Sequence, residues 1–487
     1  MDPMSWTGTL GPILNPLIVA SIAVFFLAFL TQAVMIFAGM RPGEVVITPD
    51  QNHGISIPRS PVDYTLMAMK YAILVFLACI VLFFIAGVFQ SDLTDQGVVG
   101  AVGARFLPVW IALIITFTVS IRFKRVLGLY GKLFDSPIGM VGFFLVMFWV
   151  FTAIFAGLVA THGPIDVISQ MRNEVPGAFI PNSNEGDFPA YLLGGDNLGR
   201  DVFSRMVHGA REVLQIAPAA TLFAFMIGIT LGLPAGYFGG KMDTVITFIA
   251  NLVLAFPVIL LFYLLVTPEI VLAGVPQYMS MVLFIFPIIF FVVLFNSRYH
   301  TQPTKRAILL AVVLVTGALC YFSLISDRGD SDSPLRFWPE VLDIFDIPGN
   351  LLIVFVSVVF VNSPTVFRIV RGIVLDIKTR DYVAAGQTRG EGPWYIMLWE
   401  ILPNARGPLI VDFCLRIGYT TILLGTLGFF GLGVDPESAN WGSTINEGRR
   451  LLTIYPHPPL APALALMTLV LGLNLLADGL REESLKD

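Results

Sequence analysis

The feature that most constrains this chain is a succession of long apolar segments separated by short polar connections. A helix needs roughly 20 apolar residues to cross the hydrocarbon core of a bilayer. Eleven segments approach or exceed that length: 16–39, 68–89, 106–121, 138–160, 213–238, 243–266, 278–297, 307–325, 350–370, 407–431 and 459–479. Charged residues make up only 13% of the 487 residues, whereas soluble domains carry about 25%. We therefore expect an all-α, polytopic membrane protein with about eleven transmembrane helices.

The distribution of charge predicts how these helices are oriented. Lys and Arg concentrate in the cytoplasmic connections of membrane proteins, and here they concentrate in alternate connections. The basic residues of those connections include Arg122, Lys124, Arg125, Lys132, Arg371, Lys378, Arg380 and Arg389. A connection on the other side is acidic and holds Asp327, Asp330, Asp332, Glu340, Asp343 and Asp346. The asymmetry predicts an N-terminus outside the cell, a cytoplasmic C-terminus and a cytoplasmic segment 381–404.

The segment 381–404 reads DYVAAGQTRGEGPWYIMLWEILPN and is polar, in contrast to the apolar segments on either side of it. Small side chains allow two backbones to approach closely, and a glycine permits a sharp turn between two short helices. Its candidate functional residues are Asp381, Tyr382, Ala384, Ala385, Gly386, Gly390, Leu402, Pro403 and Asn404. The pattern predicts a cytoplasmic surface on which a partner docks. The simpler alternative is an ordinary connector.

A second motif lies in a long connection on the predicted outer face. Residues 194–211 read GGDNLGRDVFSRMVHGAR, and the candidate residues are Gly194, Asp196, Gly199, Arg200, Asp201, Arg205 and Arg211. Side chains at 201, 205 and 208 would share one face of a helix. One interpretation is a solvated charge network on an amphipathic helix at the membrane surface. The other is direct contact with a protein partner or with the substrate entrance.

Ionisable groups inside apolar segments are costly and usually face a cavity or a partner group. Asp412 and Arg416 stand four residues apart and can pair on one helix. Asn474 and Asp478 lie in the last apolar segment. A structural ion pair or hydrogen bonding between helices explains these groups more simply than a substrate site does.

The sequence contains no catalytic constellation or metal-ligand cluster. The closest candidate for a phosphate-binding loop is AGYFGGKM, residues 235–242. A P-loop needs G-x-x-x-x-G-K-[ST], but Ala235 replaces the first glycine and Met242 replaces the hydroxyl residue. We therefore predict no catalytic residue, cofactor or metal in this chain, and no nucleic-acid partner.

Taken together, the motifs resemble the ABC importer permeases of the dipeptide, oligopeptide and nickel family, in their C-type inner-membrane subunit. Segment 381–404 resembles the family's cytoplasmic EAA loop, with Ala384 in place of the common Glu and Gly386 in place of the last Ala. Segment 194–211 resembles an outer-face motif of the same subunits, except for Gly195 in place of Thr. Residues 428–433 and 473–481 resemble two further family segments. The resemblance covers roughly 135–266 and 348–487.

The resemblance implies partners, a location and a function. The partners are a second homologous permease, two ATPase subunits that hold ATP and Mg, an extracytoplasmic solute-binding protein and the bilayer. The location is the inner (plasma) membrane of a prokaryote. The implied function is ATP-driven import of di- or oligopeptides, with nickel or an oligosaccharide as the alternative substrate. From another class, a secondary transporter or channel without ATP remains open, as does a membrane scaffold without transport.

The resemblance also divides the chain into four regions. Residues 1–134 form an additional N-terminal region of about three helices, and 135–266 hold core helices one to three. Residues 267–347 form an inserted transmembrane hairpin, and 348–487 hold core helices four to six. An inserted hairpin crosses the membrane twice, so the helices after it keep their orientation. Its simplest role is packing against lipid or a partner subunit. A docking site for an accessory protein is the alternative.

Overall fold

A computed structural model describes residues 2–40, 60–181, 183, 186–325, 339, 342, 349–433 and 437–484. The acidic residues Asp327, Asp330, Asp332, Glu340, Asp343 and Asp346, used above to predict orientation, lie outside the described residues. The chain divides into two compact units. The first consists of Met1–Pro108 and Val167–Phe203, and the second of Val109–Asp166 and Ser204–Asp487. A long connection in the chain, 167–203, thus clusters with the N-terminal region.

The described part of the first unit contains three α-helices, two 3₁₀ turns and two short strands. These elements are 3₁₀ Gly8–Leu10, α1 (Gly11–Phe37), α2 (Pro61–Phe89), α3 (Leu93–Arg105), 3₁₀ Ser169–Met171, β1 (Ala178–Phe179) and β2 (Ala190–Tyr191). Helix α2 begins with a capping box, in which the Ser60 hydroxyl accepts from the Val62 amide at 3.1 Å and the Asp63 carboxylate accepts from the Ser60 amide at 2.7 Å. The box and the proline at the first helical position explain why the helix begins there.

Helix α3 and the two strands were not predicted from the sequence. Helix α3 contains Gly97, Gly100 and Gly103, so it lacks the apolar run that marks a membrane helix. It packs against α2, and a Cβ added at Gly87 would lie 2.1 Å from the Gly100 carbonyl oxygen. Strand β1 pairs antiparallel with β2, but each strand has only two residues. That length is too short for an alternating pattern to be recognised.

The second unit is helical throughout its described part. Its α-helices are α4 (Leu107–Arg122), α5 (Gly128–Lys132), α6 (Pro137–Ile154), α7 (Ala156–Val159), α8 (Val202–Phe238), α9 (Gly240–Ala255), α10 (Val258–Val266), α11 (Pro268–Leu272), α12 (Val275–Leu283), α13 (Ile285–Arg298), α14 (Pro303–Ile325), α15 (Gly349–Ile377), α16 (Asp381–Thr388), α17 (Pro393–Tyr395), α18 (Leu402–Asn404), α19 (Arg406–Phe429), α20 (Trp441–Gly448) and α21 (His457–Ser484). A π-helix covers Ile396–Ile401, and 3₁₀ turns cover Leu133–Asp135 and Arg449–Leu451.

The core of the second unit lies between α6, α8, α15, α19 and α21. Helices α8 and α15 approach closely because glycines of one helix face valines of the other at intervals of four residues. Gly228, Gly232 and Gly236 lie against Val366, Val370 and Val374 respectively. A Cβ at Gly232 would come within 2.8 Å of the Val370 Cβ atom. Small residues at this spacing are a common way to pack helices in membranes.

Nine helices in the described part of the chain are long and apolar enough to cross a membrane, and two bent helix pairs bring the total to eleven. Each of these coincides with one predicted segment, so the predicted all-α membrane fold is confirmed. The pair α9 and α10 bends by 83° where the sequence has Phe256-Pro257. Proline has no amide hydrogen and disfavours helical conformation in the residue before it, which explains the break.

Candidate functional site

Segment 381–404 folds as two short helical stretches joined by a glycine turn. Helix α16 ends at Thr388, and the chain then turns at Gly390, which has φ +77°. The second stretch consists of α17, the π-helix Ile396–Ile401 and α18. Backbone in this left-handed region favours glycine because other side chains are strained there. The predicted role of Gly390 in a turn between two short helices agrees with this geometry.

Helix α16 buries one side chain and exposes small ones. Val383 is fully buried and Gly386 also faces the interior. Ala384 and Ala385 are exposed, as is Asp381, and Tyr382 is 38% exposed. The exposed surface of α16 therefore carries the methyl groups of Ala384 and Ala385 among the side chains of Asp381, Tyr382, Gln387 and Thr388. A surface of this kind allows the backbone of another protein to come close.

Polar contacts hold α16 to the rest of the second unit. The Arg389 guanidinium lies 2.5 Å from the Glu400 carboxylate, which links the two halves of the segment. On α16, the Gln387 amide donates to the Tyr237 hydroxyl at 3.1 Å. In the connection that precedes α16, the Lys378 ammonium donates to the Gly236 carbonyl at 3.0 Å. Arg389 is largely exposed, so its ion pair with Glu400 contributes little to the stability of the fold. The pair mainly restricts the orientation of the two halves of the segment relative to each other.

Replacing Gly386 by Ala is expected to be tolerated and to stabilise α16. A Cβ at this position would meet Glu400 and Ile396 side-chain atoms no closer than 3.7 Å, which is ordinary van der Waals contact. Alanine is favoured over glycine inside a helix by roughly 1 kcal/mol. Slower amide hydrogen exchange over α16 in the Gly386→Ala variant would show the effect. Faster exchange there would mean that the position does not accept a methyl group.

The second half of the segment is built into the core rather than exposed. Ile396, Met397, Leu398 and Ile401 are buried and pack in one cluster with side chains of α8, α15 and α19. Of the closing residues, Leu402 is half-buried whereas Pro403 and Asn404 are exposed. The Asn404 amide donates to the Glu400 carbonyl at 2.6 Å. Any displacement of this half is therefore passed to the three core helices that it contacts.

The part of the outer motif in the first unit, 194–203, forms a buried turn. The Arg200 guanidinium lies 2.6 Å from the Asp196 carboxylate, and both side chains are almost fully buried. The other Asp196 oxygen accepts from the amides of Leu198 and Arg200 at 2.9 Å. Asp201 is buried before α8 begins, and its carboxylate accepts from the Phe203 amide. Gly194 and Gly199 both have positive φ. The interpretation as a solvated charge network is therefore wrong for these residues.

The remaining part of the motif, 204–211, lies in the first turns of α8 in the second unit. Arg205 is fully buried, and its guanidinium donates to the Ser438 carbonyl at 2.8 Å and the Thr444 hydroxyl at 3.1 Å. The expected face of 201, 205 and 208 does not form, because α8 begins at Val202. Since α8 continues to Phe238, it is not a separate amphipathic helix on the membrane surface. Arg211 is exposed.

Residues near α20 that were not predicted as part of the outer motif pack against this part of α8. Trp441 is fully buried, and its indole donates to the Met206 carbonyl at 2.8 Å. The Asn440 amide donates to the Glu212 carboxylate at 2.9 Å. A Cβ at Gly209 would lie 2.4 Å from the Trp441 ring. These partners are more than 200 residues apart in sequence, so no local pattern could have identified the pairing.

Some of the polar groups inside apolar helices have structural partners of the expected kind. The Arg416 guanidinium lies 3.1 Å from the Asp412 carboxylate, as their spacing predicts. Asn362 donates to the Thr420 hydroxyl at 3.1 Å, which joins α15 to α19. Asn474 and Asp478 are exposed on α21, and a Cβ added at Gly418 of α19 would lie 3.8 Å from the Asn474 side-chain oxygen. Within the described residues, no group of three His, Cys, Asp or Glu side chains could hold a metal ion.

Comparison with known proteins gives one family match and several similar relatives. The family model for "Binding-protein-dependent transport system inner membrane component" matches residues 228–482. The "Glutathione transport system permease protein GsiD" of Pectobacterium atrosepticum is 30% identical over 299 residues, which are 61% of this chain and 73% of the relative. The "Dipeptide transport system permease protein DppC" is 26% identical in Alkalihalophilus pseudofirmus (72% of this chain, 87% of the relative). DppC of Haemophilus influenzae is also 26% identical (70% of this chain, 88% of the relative).

Proposed function

The chain belongs to the family of inner membrane components of binding-protein-dependent transport systems, and we propose that it is a permease subunit of an ATP-driven peptide importer. It is a multi-pass membrane protein of a family of transport permeases. The observation that carries the ATP-dependent part of the proposal is the exposed surface of α16, with Ala384 and Ala385 outward and Val383 inward. Contacts within the chain hold this surface in place, and we propose that a partner subunit binds it.

In the proposed mechanism, one ATPase subunit binds α16 and the other binds the corresponding loop of the second permease. ATP binding brings the two ATPase subunits together. Segment 381–404 directly follows α15 and directly precedes α19. A displacement of α16 therefore reaches both helices, and the buried residues of the π-helix pass it to α8 as well. The core then alternates between inward-open and outward-open states. Coupling of this kind requires the two states to differ in their contacts at α16.

The proposed assembly contains this chain, a second homologous permease, two ATPase subunits with ATP and Mg, and an extracytoplasmic solute-binding protein. The proposed orientation has the N-terminus outside and the C-terminus and 381–404 in the cytoplasm. With each bent helix pair counted as one crossing, the described residues contain eleven candidate spans. An odd number of crossings would put the two ends on opposite faces. The division into a core (135–266 and 348–487) and additions (1–134 and 267–347) is part of the same proposal.

A peptide substrate is proposed because the relatives named above transport a dipeptide or glutathione. The alternatives of nickel and an oligosaccharide are separated by uptake assays on the complete system in proteoliposomes. Labelled dipeptide, glutathione, chelated nickel and an oligosaccharide are each supplied with the solute-binding protein. ATP-dependent uptake of the dipeptide or glutathione supports the proposal, and uptake of only nickel or the sugar contradicts the peptide assignment.

The experiment that tests the proposed function is purification of the native complex in mild detergent. We expect ATPase subunits and a second permease to remain bound, and the solute-binding protein to stimulate ATP hydrolysis. A chain that purifies alone and moves solute along an ion gradient would instead be a secondary transporter. A chain that binds partners but supports neither hydrolysis nor uptake would be a scaffold.

A further inference from the structure

We propose that the tip of the inserted hairpin, residues 297–305 at the end of α13 and the start of α14, positions the second half of the coupling segment 381–404. Ser297 and Arg298 are the positioning residues, and they act on Trp399. The structural part of this inference stands by itself, and its consequence for ATP coupling rests on the proposed function. The sequence suggested that the hairpin packs against lipid or a partner subunit, or that it is a docking site for an accessory protein. None of these roles involves a contact with Trp399.

The hairpin tip holds the Trp399 side chain from two directions. The indole N–H donates to the Ser297 hydroxyl at 3.2 Å. The Arg298 guanidinium lies over the same ring, with its Cζ atom 4.5 Å from the ring centroid. This distance is within the range of a cation–π interaction. The two contacts together restrain the orientation of the Trp399 side chain. Through this side chain they restrain the position of the π-helix at Trp399.

Further contacts extend the interface on either side of Trp399. The ring of His300 lies 6.1 Å from the ring of Tyr395, edge to face. On α13, Val293 and Leu294 pack on the cluster that contains Ile396, Met397 and Ile401. The hairpin thus contacts the second half of the segment from Tyr395 to Ile401. An element that only faced lipid would make no such polar and aromatic contacts with this segment.

The position of this contact gives it a role in transmitting movement. Arg389, the first residue after α16, forms an ion pair with Glu400, which is the neighbour of Trp399 in the chain. A displacement of α16 therefore acts next to the contact with the hairpin. Residues 396–401 form a π-helix, a conformation that is rare and frequently found at functional sites. If the hairpin holds one side of this stretch, movement of α16 is transmitted to α15 and α19. Without the hairpin, only the buried side chains of 396–401 hold this stretch, so its Trp399 side can shift and absorb part of the movement.

The first test of the inference is amide hydrogen exchange on the whole chain in lipid nanodiscs. The Ser297→Ala/Arg298→Ala variant removes both contacts to Trp399. We expect amides of 395–401 to exchange at least about fivefold faster than in the wild type, the lower end of usual couplings between sites. Lys305→Ala is the matched control, because it removes an exposed cation from the same hairpin tip. Unchanged exchange in the double variant would overturn the inference, whatever the transport function proves to be.

The second test measures coupling in the assembled complex. The readout is the ratio of ATP hydrolysis with the solute-binding protein to hydrolysis without it. We expect the double variant to lower this ratio at least about fivefold, while the amount of bound ATPase and the basal rate stay at wild-type values. Trp399→Phe keeps an aromatic ring for Arg298 but has no indole N–H to donate to Ser297. This variant should lower the ratio by a smaller factor. A wild-type ratio in the double variant contradicts the coupling role. A wild-type chain that binds no ATPase contradicts the proposed function instead.

Discussion

An Ala385→Arg variant is expected to lose the response of ATP hydrolysis to the solute-binding protein almost completely, to less than about a tenth of wild type. Ala385 is exposed on α16, beside Ala384. A guanidinium there would occupy the space that a docked backbone needs, and would bring an unpaired charge into the interface. The fold of the chain itself should survive, because α16 is held through Val383, Gly386 and Gln387 instead.

The measurement for Ala385→Arg has two parts. Co-purification reports whether ATPase subunits remain bound, and hydrolysis with and without the solute-binding protein reports coupling. Ala385→Ser is the matched control, because it adds one hydroxyl while keeping the side chain small. A thermal unfolding midpoint equal to wild type would show that α16 is still folded. Normal assembly and normal stimulation in Ala385→Arg would refute the role proposed for this surface.

The features of this protein that could be predicted from its sequence are those set by local physical requirements. The thickness of the bilayer fixes the length of an apolar helix, so all eleven segments were found. A turn between two helices needs a residue that tolerates positive φ, so Gly390 was recognised. The pair Asp412 and Arg416 followed from the geometry of one helix turn. Each of these inferences uses residues that are close together in the sequence.

The features that escaped prediction depend on residues far apart in the sequence. Tryptophan is common at membrane–water interfaces, so the residue type of Trp399 does not indicate a specific partner. Nothing near Trp399 in the chain identifies Ser297 as that partner. The charges around Arg200 were interpreted in one of two ways as a solvated network, because residues 201, 205 and 208 would share one face of an amphipathic helix. In the structure, Asp196 pairs with Arg200, so both can be buried. Whether a charge is solvated or buried is decided by its partners, and composition does not contain that information.

Replacing Arg205 by Ala is expected to destabilise the second unit by about 3 kcal/mol or more, because hydrogen bonds from charged groups contribute about 1.5–3 kcal/mol each. The buried guanidinium holds the start of α8 to the 437–447 region through Ser438, Thr444 and, at 3.7 Å, the carboxylate of Glu447. Alanine would leave the Ser438 carbonyl and the Thr444 hydroxyl without this donor in the interior. We therefore expect a lower unfolding midpoint in detergent.

Arg211→Ala is the matched control, because Arg211 belongs to the same motif but is exposed. Comparing the two variants shows whether a loss of stability comes from removing a buried guanidinium or from removing a positive charge. Exposed substitutions usually change stability by less than about 0.5 kcal/mol, so that variant should unfold like wild type. Arg205→Lys keeps the charge but has no planar fork to reach Ser438 and Thr444 together, and should fall between the two. If Arg205→Ala and Arg211→Ala unfold at the same temperature, the hydrogen bonds of Arg205 do not stabilise this region and the prediction is wrong.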